Sequence, residues 1–395
     1  MKLSRRIESV GASQTIAVTT RAAELKADGV DVVSFGAGEP DFDTPDFIKQ
    51  AAKAALDAGD TKYTPRQAKA LQAAVAAKLQ RENGLAVEPG HVVVTFGCKH
   101  GLYAAFQAVL DPGDRVLVPA PYWVSFPEMV KLAGGEAVVL PTTFEEQFKI
   151  TPRQVLDAAG DAKVLVLNSP GNPSGVTYTP DELADLAEAV LQTDLIVFSD
   201  ETYERLVYGD AKFVSFASLD PRLPERTVTF NSLSKTFAMT GWRVGWATGP
   251  TDFVKAVGRL MSHEVTKPVS FAQAGALAAY TDPGADRVVE EMRVQFERRG
   301  RHMAERLNAL DGVRCLEPSG AFYCFPDVSG LYGRTLGDAA VTDSTSFVRA
   351  ALESAGVAMV PGSAFGEDRC VRLSFATSME QIDKGIDRLE KMIGE

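Results

Sequence analysis

Three polar residues each stand just past a short apolar run, where a buried strand would end. Asn172 lies in Asn168-Ser169-Pro170-Gly171-Asn172-Pro173-Ser174-Gly175, a turn crowded with Pro and Gly. Asp200 closes the run Leu195 to Asp200, with Glu201 and Tyr203 directly after it. Lys235 follows Thr227 to Phe230, inside Asn231-Ser232-Leu233-Ser234-Lys235-Thr236. Taken singly, each has an ordinary reading: Asp caps a helix, Asn-Pro turns the chain, and a loop lysine is solvated. Taken together, they put an amine, a carboxylate, an amide and a phenol on one rim. In open parallel sheets, ligands bind beyond the carboxyl ends of the strands.

A lysine forms a Schiff base with an aldehyde, and pyridoxal phosphate is an aldehyde whose ring nitrogen needs an acidic partner if the ring is to accept electrons. Lys235 and Asp200 meet those two demands. Asn172 and Tyr203 are placed to reach the phenolic oxygen and tune the basicity of the imine. The phosphate needs its own cradle. Thr95-Phe96-Gly97-Cys98-Lys99 is predicted to end a strand and open a helix, where free backbone N–H groups and the helix dipole suit an anion. Ser232 and Ser234 add hydroxyl donors, and Arg243 adds a planar, permanently charged fork.

Holding these residues together takes a sheet. Candidate strands are His91 to Thr95, Arg115 to Pro119, Lys163 to Asn168, Leu195 to Asp200, Thr227 to Phe230 and Val244 to Thr248, at the spacing of strands joined by crossover helices. Val164-Leu165-Val166-Leu167 and Leu195-Ile196-Val197-Phe198 are apolar on both faces, as a strand covered on each side requires. Leu183, Leu186, Ala187, Val190 and Leu191 follow helical spacing after Thr179-Pro180, an N-cap followed by a first-turn proline. The expected fold is α/β, with a large, doubly wound, mostly parallel sheet. A charged helical stretch from Arg287 to Leu310, short strands, a helix near Ser344 to Ser354 and a final amphipathic helix read as a smaller α+β domain.

Composition narrows the function classes. The 395 residues hold 41 Lys plus Arg against 52 Asp plus Glu, and the resulting charge of -11 repels polyanions, so no nucleic-acid partner is expected. The charged start, Met1 to Glu8, lacks the apolar core of a signal peptide, and no run approaches a membrane span, so a cytoplasmic protein with no membrane partner is expected. Cys98, Cys315, Cys324 and Cys370 show no C-x-x-C, and His91, His100, His263 and His302 show no H-E-x-x-H, so no metal site is expected. Cys315, Cys324 and Cys370 read as small core residues. Phe322, Tyr323 and Phe325 read as aromatics alternating in a strand, which are usually core, with a place near the entrance to a site as the alternative. Met261-Ser262-His263-Glu264 reads as the start of a loop, either lining a side-chain pocket or lying on the surface.

The segment Ser232-Leu233-Ser234-Lys235-Thr236-Phe237-Ala238-Met239-Thr240-Gly241-Trp242-Arg243 resembles the cofactor-lysine signature of class I pyridoxal-phosphate aminotransferases. The resemblance runs over nearly the whole chain: Ala37-Gly38-Glu39-Pro40-Asp41-Phe42, Pro121-Tyr122-Trp123, Asn172-Pro173-Ser174-Gly175, Asp200-Glu201-Thr202-Tyr203 and Val371-Arg372-Leu373-Ser374 follow in the family's order. The bacterial aspartate aminotransferase-like subgroup is the most similar. The resemblance implies fold type I, with Lys235 as imine-forming lysine and general base, Trp123 stacked on the ring and Asp200 paired with the ring nitrogen. Asn172 and Tyr203 would hold the phenolic oxygen, and Gly97, Cys98, Lys99, Ser232, Ser234 and Arg243 the phosphate. Tyr63 would reach the phosphate from the neighbouring subunit, which implies a homodimer with shared active sites. Arg372 would grip the substrate α-carboxylate, with Gly38, Trp123 and Asn172 beside it. The implied division is an arm with part of the small domain (1–44), a large cofactor-binding domain (45–285) and a small domain (286–395).

Some positions depart from the family pattern. Cys98 replaces the second Gly of a Gly-Gly-Lys loop, and Ala68 stands where many relatives carry Gly. Gly11 stands where relatives that accept prephenate carry a lysine, so prephenate is not an expected substrate. The implied reaction is ping-pong transfer of an amino group, with L-aspartate and 2-oxoglutarate the favoured pair. Aromatic amino acids, alanine, kynurenine or a C–S β-lyase reaction are the alternatives, because reaction choice lies in substrate positioning. Ser232-Leu233-Ser234-Lys235 also fits S-x-x-K, but neither S-D-N nor K-T-G occurs; G-x-S-x-G is absent, and Gly36-Ala37-Gly38 lacks the third glycine of a dinucleotide loop. A regulatory module fused to a DNA-binding domain is disfavoured by the acidic charge and by the presence of Lys235.

Overall fold

The structure is a computed structural model that describes residues 2–11, 14–63 and 65–394. Seven strands form one sheet: β1 (Val92–Thr95), β2 (Arg115–Pro119), β3 (Glu136–Leu140), β4 (Ala162–Asn168), β5 (Ile196–Asp200), β6 (Thr227–Ser232) and β7 (Gly245–Thr248), in the order β1-β7-β6-β5-β4-β2-β3. Strands β2 to β6 pair in parallel, whereas β7 runs antiparallel to both β6 and β1. Six of the strands lie where the apolar runs predict them. The seventh, β3, was not predicted. It forms one edge of the sheet, with Val139 44% exposed; its run Ala137-Val138-Val139-Leu140 is apolar and bounded by Gly135 and Pro141, a strand signal that the sequence reading left unused.

Alternation along β4 explains the layering. Val164 and Val166 pack with Phe106 and Phe198 under helix α1 (Cys98–Val109), while Leu165 and Leu167 pack on the opposite face with Leu183, Leu186 and Val190 of helix α2 (Pro180–Leu191). Thr179 begins α2 with a reciprocal cap: the Glu182 N–H donates to Thr179 Oγ1 at 3.2 Å, and the Thr179 N–H donates to Glu182 Oε2 at 2.7 Å. Met261 to Glu264 form the last turn of helix α3 (Thr251–Glu264) rather than the start of a loop. Met261 is buried there, and Glu264 Oε2 lies 3.3 Å from His100 Nε2.

A second core gathers Phe296 of helix α4 (Ala285–Asn308), Phe322, Phe347 of helix α5 (Ser344–Ala355), Phe375 and Ile386 of helix α6 (Met379–Gly394), and takes in Tyr203, Leu206 and Tyr208 from the segment after β5. Val33 and Phe35 belong to this core, and Val33–Ser34 pairs in parallel with Val357–Ala358. Cys315, Cys324 and Cys370 are buried as free thiols. Among the described residues no helix is long and apolar enough to cross a membrane.

Candidate active site

Strand register aligns the chemistry at one edge. Asn168 at the end of β4 faces Asp200 at the end of β5, and Asp200 faces Phe230 of β6. Ser232 of β6 and Thr95 of β1 both pair with Gly245 of β7, so the turns after β1 and β6 lie side by side. A Cβ on Gly245 would sit 2.6 Å from the Gly97 carbonyl carbon and 2.7 Å from the Cys98 nitrogen, so only glycine permits that approach. Gly97 itself adopts φ +85°, and a Cβ there would sit 2.9 Å from Arg243 Nη2. The Arg243 guanidinium is held by donation to Thr240 O at 2.8 Å and to Phe96 O at 3.2 Å. A cation thus lies against the first N–H groups of α1, which lack acceptors within the helix: an anion cradle.

Beside the cradle opens a cavity of about 510 Å³. Of the residues the sequence singled out, Lys235, Asp200, Tyr203, Asn172, Ser232 and Ser234 line it, and so do Cys98, Lys99, Trp123, Arg243, Gly38 and Arg372. Gly97 lies outside the lining and shapes the cradle, while Tyr63 is 84% exposed on the surface. The Lys99 ammonium sits 4.8 Å over the Trp123 ring, which is braced edge-on by Phe126.

Lys235 Nζ donates to the Gly38 carbonyl. Burial pushes its pKa down to about 8; the Glu39 carboxylate opposes that shift, while the charges of Arg372 and Arg243 add to it. Asp200 Oδ1 accepts from the Thr202 N–H at 3.2 Å and from the Cys98 thiol at 3.5 Å. Burial raises the Asp200 pKa, against donors on Thr202 and Cys98 and the charge of Lys235. The Asn172 turn is clipped to the strand ends: its N–H donates to Asn168 Oδ1 at 2.9 Å, and Asn168 Nδ2 donates to Asp200 O at 3.1 Å.

Arg372 is 2% exposed; it donates to Asn172 Oδ1 and to Gly36 O, each at 3.0 Å, and its buried Nε has no partner. No carboxylate among the described residues pairs with it. A buried, unpaired guanidinium is costly unless a ligand brings the anion. The Tyr203 and Tyr323 hydroxyls lie 3.0 Å apart.

Among the cavity residues not named as site residues from the sequence, Tyr323 and Glu39 bring the most chemistry. Tyr323 is 1% exposed and reads as core, yet its hydroxyl faces the site; the signal was a tyrosine set among phenylalanines, since a buried phenol needs a partner. Glu39, which accepts from Thr240 Oγ1 at 2.8 Å, puts a carboxylate at the cavity wall, and only its place in the Gly38-Glu39-Pro40 motif hinted at that. The whole arrangement offers an anion cradle, a basic amine, a buried acid and a second cation free for a carboxylate.

Comparison with known proteins bears on that chemistry. Residues 30–389 match the family model described as "Aminotransferase class I and II". The chain is 45% identical over 395 residues to aspartate aminotransferase from Bacillus subtilis, covering 100% of this chain and 99% of that one. It is 46% identical over 393 residues to an aspartate/prephenate aminotransferase from Cereibacter sphaeroides, covering 98% of each. The solved structure of aspartate aminotransferase from Thermus thermophilus with maleate superposes with a TM-score of 0.93 at 43% identity, over 99% of this chain and 100% of that one.

Proposed function

This chain belongs to the class I and II aminotransferases, and we propose that within the family it moves the amino group of L-aspartate to 2-oxoglutarate by a ping-pong route. One observation carries the reading: Lys235, Asp200 and Arg372 converge on a single cavity beside an anion cradle. The residues present fit pyridoxal phosphate, the cofactor of the family. The Gly97–Gly245 approach leaves backbone N–H groups open to a phosphate, the buried Asp200 suits a protonated ring nitrogen, and the unpartnered Arg372 Nε suits a carboxylate. When bound, that group supplies an aldehyde that condenses with amines and a ring that accepts the electron pair left when a Cα proton departs.

The geometry supports the roles that the family resemblance implies. Lys235 Nζ, with a pKa near 8, is partly neutral at physiological pH and moves the Cα proton. With the cofactor bound, Asp200 would keep the ring nitrogen protonated, Asn172 and Tyr203 would serve the phenolic oxygen, and Trp123 would lie against the ring. Gly97, Cys98 and Lys99 with Ser232, Ser234 and Arg243 would hold the phosphate. Arg372 orients the amino acid through its α-carboxylate, beside Gly38. Lys99 and Arg243 serve the phosphate and Arg372 the α-carboxylate, so the choice of a substrate with a second carboxylate is supported by the relatives and not by a spare cation in the cavity. The maleate in the Thermus thermophilus structure, a four-carbon dicarboxylate, supports the same choice. Gly11 in place of a lysine argues against prephenate.

Tyr63, exposed here, completes the phosphate site of a second copy in a homodimer. Val33 and Phe35 share a core with residues between 296 and 393, which supports grouping the arm, 1–44, with the small domain, 286–395, beside a large domain of 45–285 that adds Tyr203, Leu206 and Tyr208 to that core. Four free buried thiols support a cytoplasmic protein. The test is a half-reaction scan: cofactor-loaded protein is given single amino acids without an acceptor, and the released 2-oxo acid is measured. Aspartate and glutamate should react fastest. Preference for aromatic amino acids, alanine or kynurenine would overturn the specificity, and pyruvate from cysteine conjugates would point to a β-lyase.

A further inference from the structure

We infer that Cys98 is a positioning residue that sets the carboxylate of Asp200 for the cofactor ring. Cys98 is 8% exposed and lines the cavity, and its Sγ lies 3.5 Å from Asp200 Oδ1. The Thr202 N–H reaches the same oxygen at 3.2 Å. Both donors therefore end on Oδ1, and neither occupies Oδ2. The Thr202 hydroxyl lines the same wall and, with the thiol, favours the charged carboxylate, so both side chains bear on Asp200.

The thiol keeps its proton. Burial pushes the Cys98 pKa well up, and the Asp200 charge adds to the shift, so Sγ–H remains a neutral donor and not a competing anion. A neutral donor suits this place: it orients Asp200 and favours its charged form, yet adds no charge that would repel a protonated ring nitrogen.

The inference rests on the reading of Asp200 as the partner of that nitrogen, and the test separates the two. In the cofactor-free protein, the S–H stretching band lost in Cys98→Ala identifies the Cys98 thiol by infrared spectroscopy. That band should move to higher frequency in Asp200→Asn, because an amide oxygen accepts more weakly than a carboxylate. Separately, Cys98→Ala should bind pyridoxal phosphate about 3- to 10-fold more weakly, the worth of one hydrogen bond, with Cys98→Ser restoring affinity. A Cys98 band unmoved by Asp200→Asn, or wild-type affinity in Cys98→Ala, overturns the inference. Failure of the wild-type protein to bind pyridoxal phosphate at all would instead overturn the cofactor reading, with the infrared result still deciding the thiol contact.

Discussion

Replacing Glu201 by Gln should change how stability depends on pH. Glu201 follows Asp200 at the end of β5 and is 2% exposed. Its Oε1 accepts from Ser199 Oγ and Ser215 Oγ, each at 2.9 Å, and from the Phe216 N–H at 3.1 Å, while Oε2 is buried without a partner. Burial, helped by the Glu204 charge and opposed by those three donors, pushes its pKa from 4.5 up to about 8. In the unfolded chain the side chain ionises near its ordinary value, so between pH 4.5 and 8 the folded state holds a proton that the unfolded state has lost. Stability must then fall as pH rises, by about 1.4 kcal/mol per pH unit, until both states are ionised above pH 8. The accumulated loss is roughly 5 kcal/mol. Gln keeps the acceptor at Oε1 and cannot ionise. Denaturant midpoints of wild type and Glu201→Gln, taken from pH 5 to pH 9 at fixed protein and cofactor concentrations, should diverge as pH rises and then run parallel. Taking the difference between the two proteins cancels the titration of Lys235 and Asp200. A constant gap across the range, or one that narrows with pH, would refute the assignment of a proton to buried Glu201.

Three further outcomes are expected. Lys235→Ala should keep the fold by circular dichroism but lose turnover by at least about 10³-fold, and borohydride should no longer fix pyridoxal phosphate to the chain; a variant that still transaminates normally would remove Lys235 from the chemistry. Arg372→Ala should lower kcat/KM for every amino acid by about 10² to 10⁴, the loss of two charge-assisted hydrogen bonds, and unchanged kinetic constants would refute the α-carboxylate role. Gly245→Ala should push Gly97 and Cys98 off β7 and weaken pyridoxal phosphate binding at least about 10-fold, measured by equilibrium dialysis, because its Cβ has no room at 2.6 Å from backbone.

The strands β4 and β5 were legible because a strand covered on both faces must be apolar at every position, and α2 was legible because Thr179-Pro180 and Glu182 write its start locally. The Lys235, Asp200 and Asn172 turns were legible for a related reason: polar residues that interrupt apolar runs at strand ends mark the rim of a parallel sheet. The edge strand β3 also carries an apolar run, Ala137 to Leu140, which was readable but unread, whereas the antiparallel direction of β7 is not a property of its own residues.

What the sequence determined by itself was therefore the local menu: which runs become strands, where helices start, and which residue types stand at their ends. Only the tertiary structure decided who meets whom. Arg372 reaches Asn172 across 200 residues, and Lys235 reaches Gly38 across 197. The need for glycine at 245 exists only because the Gly97 turn crosses beside it, and Tyr323 became a site residue only when its strand packed against Tyr203. Local periodicity follows from backbone geometry and burial of one face, which neighbouring residues encode. Contacts between distant segments depend on how those faces pack, and no short stretch of sequence carries that information.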